Sequence, residues 1–415
     1  MLELLSAFCL MAVNAWASPL ESAQFLGLSA IDPTTLMGPV SSPGSSMSEL
    51  VVPKGYPLEE YEVVTKDGYI LSVFRIPYGK NDTSTPRVPI ILQHGIFATS
   101  ASWVISDPSR GLGFVLADSG FDVWLPNSRG NTYSKKHVKW DPDVDKKEFY
   151  NYSFHEMGYY DLPAVIDFIL EKTEQTQLIY SGHSQGTTEF FVLASTRPEY
   201  NARIKAAALM APIAYLDGAR GTVKILSAFT GTLAKTARWL GLYEILTNSP
   251  LIHFIDTSLC KKTAITIRIC DNLLFALTGF DSVEFDESLM PLIADQGPSG
   301  ASVKQLMHFG QLANNGGKFN YYDYGSSGNE DAYNQNTPPE YDLSKITIPI
   351  NLHYGLNDWL AGVDDVLRLH SKLKDSTLVQ VSFPAFNHLD FMWAKDVRSL
   401  LYDNMIAMLK AHLRQ

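Results

Sequence analysis

Short apolar runs alternate with helical patterns over much of the chain. Residues 89–93, 121–125, 178–180 and 204–210 are runs of apolar and β-prone side chains. Runs of this length and composition are typical of strands that a sheet buries on both faces. Helical patterns separate them, such as the stretch LPAVIDFILE at residues 162–171. The alternation predicts right-handed βαβ crossovers and a mainly parallel sheet.

The chain that precedes these runs has a different pattern. Residues 18–50 are rich in Ser, Pro and Gly, which predicts an extended lead-in rather than a domain. Residues 61–65 and 69–77 are strand-like, and the pair Asp67 and Gly68 between them is typical of a tight turn. A β-hairpin is therefore expected where the globular part begins.

The alternation lapses between about residue 215 and residue 340. It resumes with predicted strands at residues 348–354 and 378–383, and a helical pattern near residues 395–413 closes the chain. Within the lapse, residues 222–240 form an amphipathic stretch that is interpreted either as ordinary packing on the core or as a mobile lid.

These patterns divide the chain into four parts. An α/β core is predicted from residues 56–214 and 341–415, with a helical cap or lid inserted at residues 215–340. An extended N-terminal segment, residues 18–55, precedes the core. Residues 1–17 are the fourth part of the chain.

Composition narrows the class of protein. The 415 residues are 46% hydrophobic and 19% charged, which is the balance of a globular chain. The formal net charge is -11 and no basic stripe is visible, so nucleic acid is not an expected partner. After the first residues, no apolar run reaches the length of about 20 that a membrane span needs. The mature chain is therefore expected to have no transmembrane segment.

The N-terminus predicts entry into the secretory pathway. Residues 1–17 contain an apolar stretch that is too short to span a bilayer, followed by the small-x-small pattern Ala15-Trp16-Ala17. We interpret them as a signal peptide, although no Lys or Arg precedes the apolar stretch; a buried N-terminal helix is the alternative. The predicted location is therefore the lumen of the secretory pathway or the outside of the cell.

Asparagine and cysteine residues agree with passage through an oxidising compartment. Asn81 and Asn151 both fit the acceptor pattern for N-glycosylation. Of the three cysteines, Cys9 leaves with the signal peptide, and Cys260 and Cys270 are expected to form a disulfide. Two buried free thiols are the alternative, and a metal site is less favoured because no His/Cys cluster accompanies them.

The pentapeptide Gly182-His183-Ser184-Gln185-Gly186 follows a strand-like run and precedes a helical pattern. Strand, sharp turn and helix are the context of the nucleophile elbow, in which GxSxG presents a serine hydroxyl at the apex of the turn. Glycines on either side allow the strained turn without a clash. A simple Gly/Ser turn is the alternative interpretation of the pentapeptide. The motif therefore indicates a nucleophile only together with residues elsewhere in the chain.

A serine hydroxyl is a poor nucleophile without a base and a third group that orients the base. On this architecture the acid and the base follow the serine in that order, each directly after a later strand. Asp358 follows the predicted strand at residues 348–354, and His388 follows the one at residues 378–383. The predicted catalytic residues are therefore Ser184, Asp358 and His388.

Other residues compete for these roles. Asp364 and Asp365 are alternative acids, but they are expected to begin the next helix, where acidic residues are ordinary. His353 lies within a predicted strand and His370 within a helical pattern, so both are more simply interpreted as structural.

The oxyanion formed by attack of the serine needs two preorganised donors. The elbow supplies the backbone amide of Gln185, and the loop after the early strand at residues 89–93 is expected to supply the amide of Ile96. His94 in that loop is expected to be structural. A strand-ending turn at His94 and Gly95 is the plainer interpretation of the same residues, and both interpretations can hold.

Several ordered blocks resemble the acid lipases, the animal family of gastric and lysosomal lipases. They are LQHGIFATSASWV, GFDVWLPNSRGNTYS, YDLPAVIDFI, SGHSQGTTEFF and FNHLDFMWA, and the resemblance runs from about Tyr56 to the C-terminus. It implies an α/β-hydrolase core with a mainly parallel sheet and an inserted helical cap. By resemblance the catalytic residues are again Ser184, Asp358 and His388.

The resemblance has further implications for the site and for function. It implies oxyanion donors at Ile96 and Gln185 and a disulfide between Cys260 and Cys270. The expected activity is hydrolysis of neutral lipid esters, triacylglycerols or sterol esters, at a lipid–water interface, with no metal or organic cofactor and no inferred protein partner. An esterase of smaller soluble esters and a non-catalytic lipid-binding protein are the alternatives.

Overall fold

The computed structural model describes residues 45–80, 83, 84, 86–221, 224, 227, 228, 237, 240–245 and 275–414. Several predictions lie outside these residues: the signal peptide at residues 1–17, Asn81, most of residues 222–240, Cys260 and Cys270. The description below concerns the remaining parts of the chain.

A large mixed sheet organises the described residues. Its nine strands are β1 (Glu59–Val64), β2 (Tyr69–Ile76), β3 (Val88–Gln93), β4 (Phe121–Pro126), β5 (Lys136–His137), β6 (Leu178–His183), β7 (Ile204–Met210), β10 (Ile350–Tyr354) and β11 (Ser376–Gln380). Two short strands, β8 (Glu244–Ile245) and β9 (Ala301–Ser302), pair with each other outside it.

The sheet has the order β1-β2-β4-β3-β6-β7-β10-β11, with β5 added beside β2. Every neighbouring pair from β4 to β11 is parallel, whereas β1 pairs antiparallel with β2, and β2 with β4 and β5. The predicted α/β-hydrolase fold with a mainly parallel sheet is confirmed. The predicted hairpin is also confirmed, with Gly68 in its turn at φ +102°.

Helices connect the strands. They are α1 (Met47–Val51), α2 (Leu112–Asp118), α3 (Lys146–Phe149), α4 (Phe154–Glu156), α5 (Leu162–Thr173), α6 (Gln185–Thr196), α7 (Met290–Gln296), α8 (Val303–Leu312), α9 (Ser326–Tyr333), α10 (Val363–Lys372), α11 (Asp390–Trp393) and α12 (Asp403–Leu413). Short 3₁₀ turns occur at Val52–Lys54, Ser100–Trp103, Pro198–Arg203, Glu287–Leu289 and Leu343–Lys345, and π turns at Met157–Asp161 and Arg398–Tyr402.

The end of the predicted extended segment is instead a helix. The side chain of Ser46 accepts a hydrogen bond from the amide of Glu49, whose carboxylate accepts one from the amide of Ser46, so a capping box starts α1. Met47 and Val51 of this helix are buried in the main core. The prediction was wrong here because Ser and Pro dominate the composition around a single short amphipathic turn.

The sheet order creates the place where a site is expected. From β3 the chain moves to β4 on one side and later to β6 on the other, so the direction of winding reverses between β3 and β6. In open α/β sheets, ligands bind outside the carboxyl ends of the strands at such a switch point. Gln93 at the end of β3 pairs with Gly182 near the end of β6, which brings the predicted oxyanion loop beside the predicted nucleophile.

Part of the insertion at residues 215–340 is described. It contains α7, α8, α9 and the small sheet of β8 and β9. Residues 278–285 return from the insertion against the loop that carries His388: the amide of His388 donates to the carbonyl of Thr278, and the amide of Lys395 donates to that of Glu284. The insertion and the core therefore share hydrogen bonds at the site itself.

Candidate active site

Ser184 lies at the sharp turn between β6 and α6. Its backbone has φ 53° and ψ -120°, a conformation that non-glycine residues rarely adopt, and its amide donates a 3.1 Å hydrogen bond to the carbonyl of Met210. Strand β6 continues to His183 rather than ending at Tyr180, so the strand leads directly into the turn. This is the strand-turn-helix geometry that the pentapeptide predicted.

The glycines of the pentapeptide allow the close packing of the turn. A Cβ on Gly182 would lie 2.9 Å from the carbonyl carbon of Gly186, and a Cβ on Gly186 would lie 2.7 Å from the carbonyl oxygen of Gln93. A Cβ on Gly95 would lie 3.0 Å from the Cβ of Ser184. The backbone of the loop after β3 therefore packs against the serine with no room for side chains.

The three predicted catalytic side chains form one chain of hydrogen bonds. The Nε2 atom of His388 lies 2.8 Å from the Oγ atom of Ser184, and its Nδ1 atom lies 2.8 Å from Oδ2 of Asp358. The other carboxylate oxygen of Asp358 accepts hydrogen bonds from the amides of Leu360 (2.8 Å) and Ala361 (2.9 Å). All three side chains are buried, so the hydrogen bonds between them are shielded from water.

The competing acids and bases lie in other environments. Asp364 and Asp365 stand in the first turn of α10, as predicted, and Oδ2 of Asp365 accepts a hydrogen bond from the amide of Gly218. His370, within the same helix, contacts the hydroxyl of Ser376 through Nδ1. His353 is buried in β10, and burial lowers its pKa to about 4.

The backbone of His388 is held on two sides by residues that the sequence did not single out for this role. Its carbonyl accepts a 2.8 Å hydrogen bond from Nε2 of His183, and its amide donates to Thr278 of the insertion at 3.3 Å. Burial first, and then the neighbouring His388 ring, lower the pKa of His183 well below its ordinary value. His183 is therefore a neutral hydrogen-bond donor. Its only signal in the sequence is its place as the first variable residue of the GxSxG motif.

The loop that carries Ile96 is fixed by His94. Nε2 of His94 accepts hydrogen bonds from the amide of Ser128 and the side-chain amide of Asn131, both at 3.1 Å. Its Nδ1–H therefore donates to the carbonyl of Gly95 at 2.8 Å. Burial lowers the pKa of His94 to about 4, so the ring stays neutral well into the acidic range. These contacts fit the structural role expected for His94.

Ile96 and Gln185 line one small cavity, although Ser184 itself is not part of its lining. In the described part of the chain neither backbone amide donates a hydrogen bond, and both are therefore available to a ligand. Phe97, directly after Ile96, has φ +60°, which turns the loop sharply at this point. The same cavity is lined by Gln305 and Gly300 of the insertion.

The side chain of Gln185 belongs to a buried polar network. Its Nε2 donates to Oε1 of Glu189 at 2.9 Å, and its Oε1 accepts from Nε2 of Gln305 at 2.5 Å. Oε1 of Glu189 also accepts from the hydroxyl of Ser128. Burial, with the nearby charge of Asp161, raises the pKa of Glu189 to about 8, so this carboxyl is protonated at acidic and neutral pH.

A second buried carboxyl lies just beyond His388. Oδ2 of Asp390 accepts a 2.6 Å hydrogen bond from the amide of Asn387, and Asp281 of the insertion lies close enough for its charge to act on this carboxyl. Burial, with the charges of Asp281 and Glu284, raises the pKa of Asp390 to about 8. The loop that carries His388 therefore holds a carboxyl that keeps its proton at neutral pH, close to the acidic residues Asp281 and Glu284 of the insertion.

The described residues do not suggest a metal centre. In the described ranges, no three His, Cys, Asp or Glu side chains are grouped as a metal site would require.

Asn151 is exposed, as a glycosylated asparagine must be. Among the described residues, no helix combines the length and the apolarity needed to cross a bilayer.

Comparison with known proteins identifies the family. The sequence model described as a partial alpha/beta-hydrolase lipase region matches residues 47–107, and that of the alpha/beta hydrolase fold matches residues 88–238. Gastric triacylglycerol lipase of Rattus norvegicus is 41% identical over 88% of this chain and 91% of its own. The chain belongs to the acid lipase family.

Other members of the acid lipase family match over similar lengths. Lipase 3 of Drosophila melanogaster is 38% identical over 90% of this chain and 94% of its own. A Crotalus adamanteus protein, assigned by name to the lysosomal acid lipase/cholesteryl ester hydrolases, is 38% identical over 91% of this chain and 92% of its own. The resemblance inferred from the sequence blocks is confirmed, and the match to the lipase-region model begins at residue 47, in helix α1, ahead of Tyr56.

Solved structures agree on the fold. A soluble variant of monoglyceride lipase from Saccharomyces cerevisiae, in complex with a substrate analogue, has a TM-score of 0.54 at 14% identity, over 86% of this chain and 96% of its own. The esterase EaEST from Exiguobacterium antarcticum has a TM-score of 0.51 at 14% identity, over 85% of this chain and 100% of its own. At this identity the likeness supports the α/β-hydrolase fold of the acid lipase family and nothing finer.

Proposed function

We propose that this protein hydrolyses carboxylic esters of neutral lipids through an acyl-enzyme on Ser184. The observation that carries the proposal is the pair of 2.8 Å hydrogen bonds that joins Ser184 to His388 and His388 to Asp358. A serine with a base in hydrogen-bonding reach, and a base held by a carboxylate, is the arrangement that activates a hydroxyl for acyl transfer.

The first half of the reaction forms the acyl-enzyme. The Oγ atom of Ser184 bonds to the ester carbonyl carbon while Nε2 of His388 takes the hydroxyl proton, and Asp358 stabilises the resulting imidazolium. The amides of Ile96 and Gln185 bind the oxyanion of the tetrahedral intermediate. When this intermediate collapses, the bond to the alcohol oxygen breaks and His388 returns the proton to the leaving alcohol.

The second half releases the fatty acid. Water attacks the acyl carbon while His388 again takes a proton, and collapse of the second intermediate returns that proton to Oγ of Ser184. The products are one alcohol and one carboxylic acid for each water consumed. The mechanism needs no metal or organic cofactor, since the serine supplies the nucleophile and the backbone amides supply the electrophilic groups.

The substrate class rests on the relatives. Their names include gastric triacylglycerol lipase and lysosomal acid lipase/cholesteryl ester hydrolase, at about two-fifths identity over most of each chain. We infer that the substrates are triacylglycerols or sterol esters at a lipid–water interface, in a secreted or lysosomal location. The signal peptide at residues 1–17, the disulfide between Cys260 and Cys270, and glycosylation of Asn81 and Asn151 belong to this proposal.

Fatty-acid release from emulsified triolein and from cholesteryl oleate tests the proposal, measured at acidic and neutral pH. Ser184→Ala is expected to remove at least about a thousandfold of the activity on the preferred substrate. Ser371→Ala, at an exposed serine of α10, is the matched control and is expected to retain full activity. Release that persists in Ser184→Ala refutes the mechanism, whereas serine-dependent cleavage confined to soluble short-chain esters refutes the substrate class.

A further inference from the structure

We propose that Gln305, a residue of the insertion, is a positioning residue that fixes Gln185 and thereby sets the geometry of the oxyanion hole. The inference rests on the ester hydrolysis proposed above, and it gives a part of the insertion a direct role in that chemistry. It concerns a residue far from the pentapeptide in sequence and outside the three side chains of the hydrogen-bonded relay.

The side chain of Gln305 makes two separate contacts. It lies in the first turn of α8, where its Oε1 accepts a 3.3 Å hydrogen bond from the amide of Ser302 and completes a capping box. Its Nε2 donates to Oε1 of Gln185, at 2.5 Å. Oε1 of Gln305 therefore caps its own helix, and Nε2 bonds to Gln185, the residue that supplies a proposed oxyanion donor.

Gln185 is consequently held from two directions. Glu189, on the core side, accepts from its Nε2, while Gln305, on the side of the insertion, donates to its Oε1. Both glutamines are almost completely buried, so water does not replace a lost partner. A buried acceptor such as Oε1 of Gln185 is unfavourable when it is left without a donor. Gln185 is the first residue of α6, so these bonds hold the residue whose amide is the proposed oxyanion donor.

The same short segment also contacts the other half of the oxyanion hole. The amide of Ser299 donates to the carbonyl of Phe97 at 2.7 Å, and Phe97 directly follows Ile96. The hydroxyl of Ser299 in turn accepts from the amide of Thr132 at 2.9 Å. Residues 299–305 thus touch both sides of the cavity between Ile96 and Gln185.

This placement predicts an effect on the chemical step rather than on binding. Oxyanion donors stabilise charge that develops in the transition state, so their displacement lowers kcat and leaves KM for a small ester nearly unchanged. Displacements well below the size of an atom are sufficient for large losses. A residue that merely stabilised α8 would instead affect the folded fraction.

Gln305→Glu separates the two contacts. Glutamate is itself a normal capping-box residue, so the bond from the amide of Ser302 is retained. When protonated, the new carboxyl donates to Oε1 of Gln185; when ionised, it has no donor and repels that oxygen. Because burial favours the protonated form, the contact survives at about pH 5 and is lost as the pH rises.

The measurement is kcat and KM for p-nitrophenyl butyrate, together with the rate at which a fluorophosphonate labels Ser184, across the pH range. The ratio of variant to wild-type kcat is expected to stay within about twofold near pH 5 and to fall about tenfold by pH 8, with the labelling rate following it and KM little changed. Gln311→Glu, the same substitution on the same helix, is the matched control and is expected to show no pH-dependent loss.

Two results would overturn the inference: a ratio that stays near one at every pH, and a ratio that is equally low at every pH and accompanied by a lower melting temperature. If Gln305→Glu does not fold, Gln305→Met takes its place, since methionine has a similar length and no charge. A kcat about tenfold lower at unchanged KM then supports the inference, and an unchanged kcat contradicts it. Failure of the proposed function is a separate result, because fluorophosphonate would then not label wild-type Ser184.

Discussion

Replacing Asp390 by asparagine should make the stability of the protein less sensitive to pH. Asp390 is buried, follows His388 by two residues, and lies close to the carboxyl of Asp281. One oxygen of Asp281 already accepts from the amides of Val283 (2.8 Å) and Glu284 (3.0 Å). Burial, with the charges of Asp281 and Glu284, raises the pKa of Asp390 to about 8.

The magnitude follows from this shift. An aspartate in the unfolded chain has a pKa of about 4, so between about pH 4 and pH 8 the folded protein holds one proton that the unfolded chain does not. The contribution of this proton to stability is complete at acidic pH and is lost as the pH rises toward 8. Each pH unit in this interval corresponds to about 1.4 kcal/mol, so the change from pH 5 to pH 7 lowers the free energy of unfolding by about 2.7 kcal/mol.

The substitution Asp390→Asn would keep the contacts without the titration. The amide nitrogen of the new side chain can donate to Asp281, and its oxygen can accept from the amide of Asn387 as Oδ2 of Asp390 does at 2.6 Å. The loss of stability between pH 5 and pH 7 should therefore be smaller in Asp390→Asn than in the wild type by about 2.7 kcal/mol, or about 3 °C in Tm. Glu189, whose pKa is also raised to about 8, is present in both proteins and cancels in the comparison.

Thermal unfolding at a fixed scan rate, followed by tryptophan fluorescence at several pH values, measures this difference. Asp364→Asn makes the same chemical change at an exposed position of α10 and should leave the pH dependence of the wild type unchanged. Equal Tm losses between pH 5 and pH 7 in wild type and Asp390→Asn would refute the reasoning, as would a variant that is destabilised to the same extent at both pH values.

Two further predictions concern the site. Asp358→Asn should lower kcat about 10⁴-fold with the fold intact, because the amide N–H donates to Nδ1 of His388 and the ring then carries its proton on Nε2, which cannot accept the proton of Ser184; Asp364→Asn is again the control, and single-turnover kinetics measure the loss. Gly186→Ala should destabilise the protein by about 1–3 kcal/mol and abolish activity, because its Cβ would lie 2.7 Å from a carbonyl oxygen of Gln93. Wild-type Tm and activity in Gly186→Ala would contradict the packing argument.

The elements that the sequence predicts well are those with a local signal. Strands β3, β4, β6, β7 and β10 are short apolar runs flanked by turn residues, and the structure places strands at each of them within a few residues. The spacing of Asp358 and His388 after later strands predicts their convergence on Ser184, because parallel strands end at the same edge of a sheet. Hydrogen bonds of 2.8 Å join the three side chains in the structure.

Contacts between distant segments leave no such signal. The hydrogen bond between His183 and the carbonyl of His388 spans 205 residues, and that between Gln305 and Gln185 spans 120. No periodicity relates such positions, because the contact depends on how the insertion folds back onto the core. The carboxyl pair of Asp281 and Asp390 is hidden for the same reason: each aspartate looks like an ordinary turn residue in its own segment.

The return of the insertion onto the catalytic loops also bears on how members of this family can be recombined. Thr278 and Glu284 bond to the loop of His388, and Gln305 bonds to Gln185, so residues 275–305 have partners fixed by the core of their own protein. A chimera that takes part of the insertion from another family member must therefore return to its own sequence before residue 275. Residues 275–305 and the core then come from the same protein and keep their hydrogen-bond partners. Exchange of substrate preference by recombination is in this sense limited by a boundary that lies within the insertion rather than at its end.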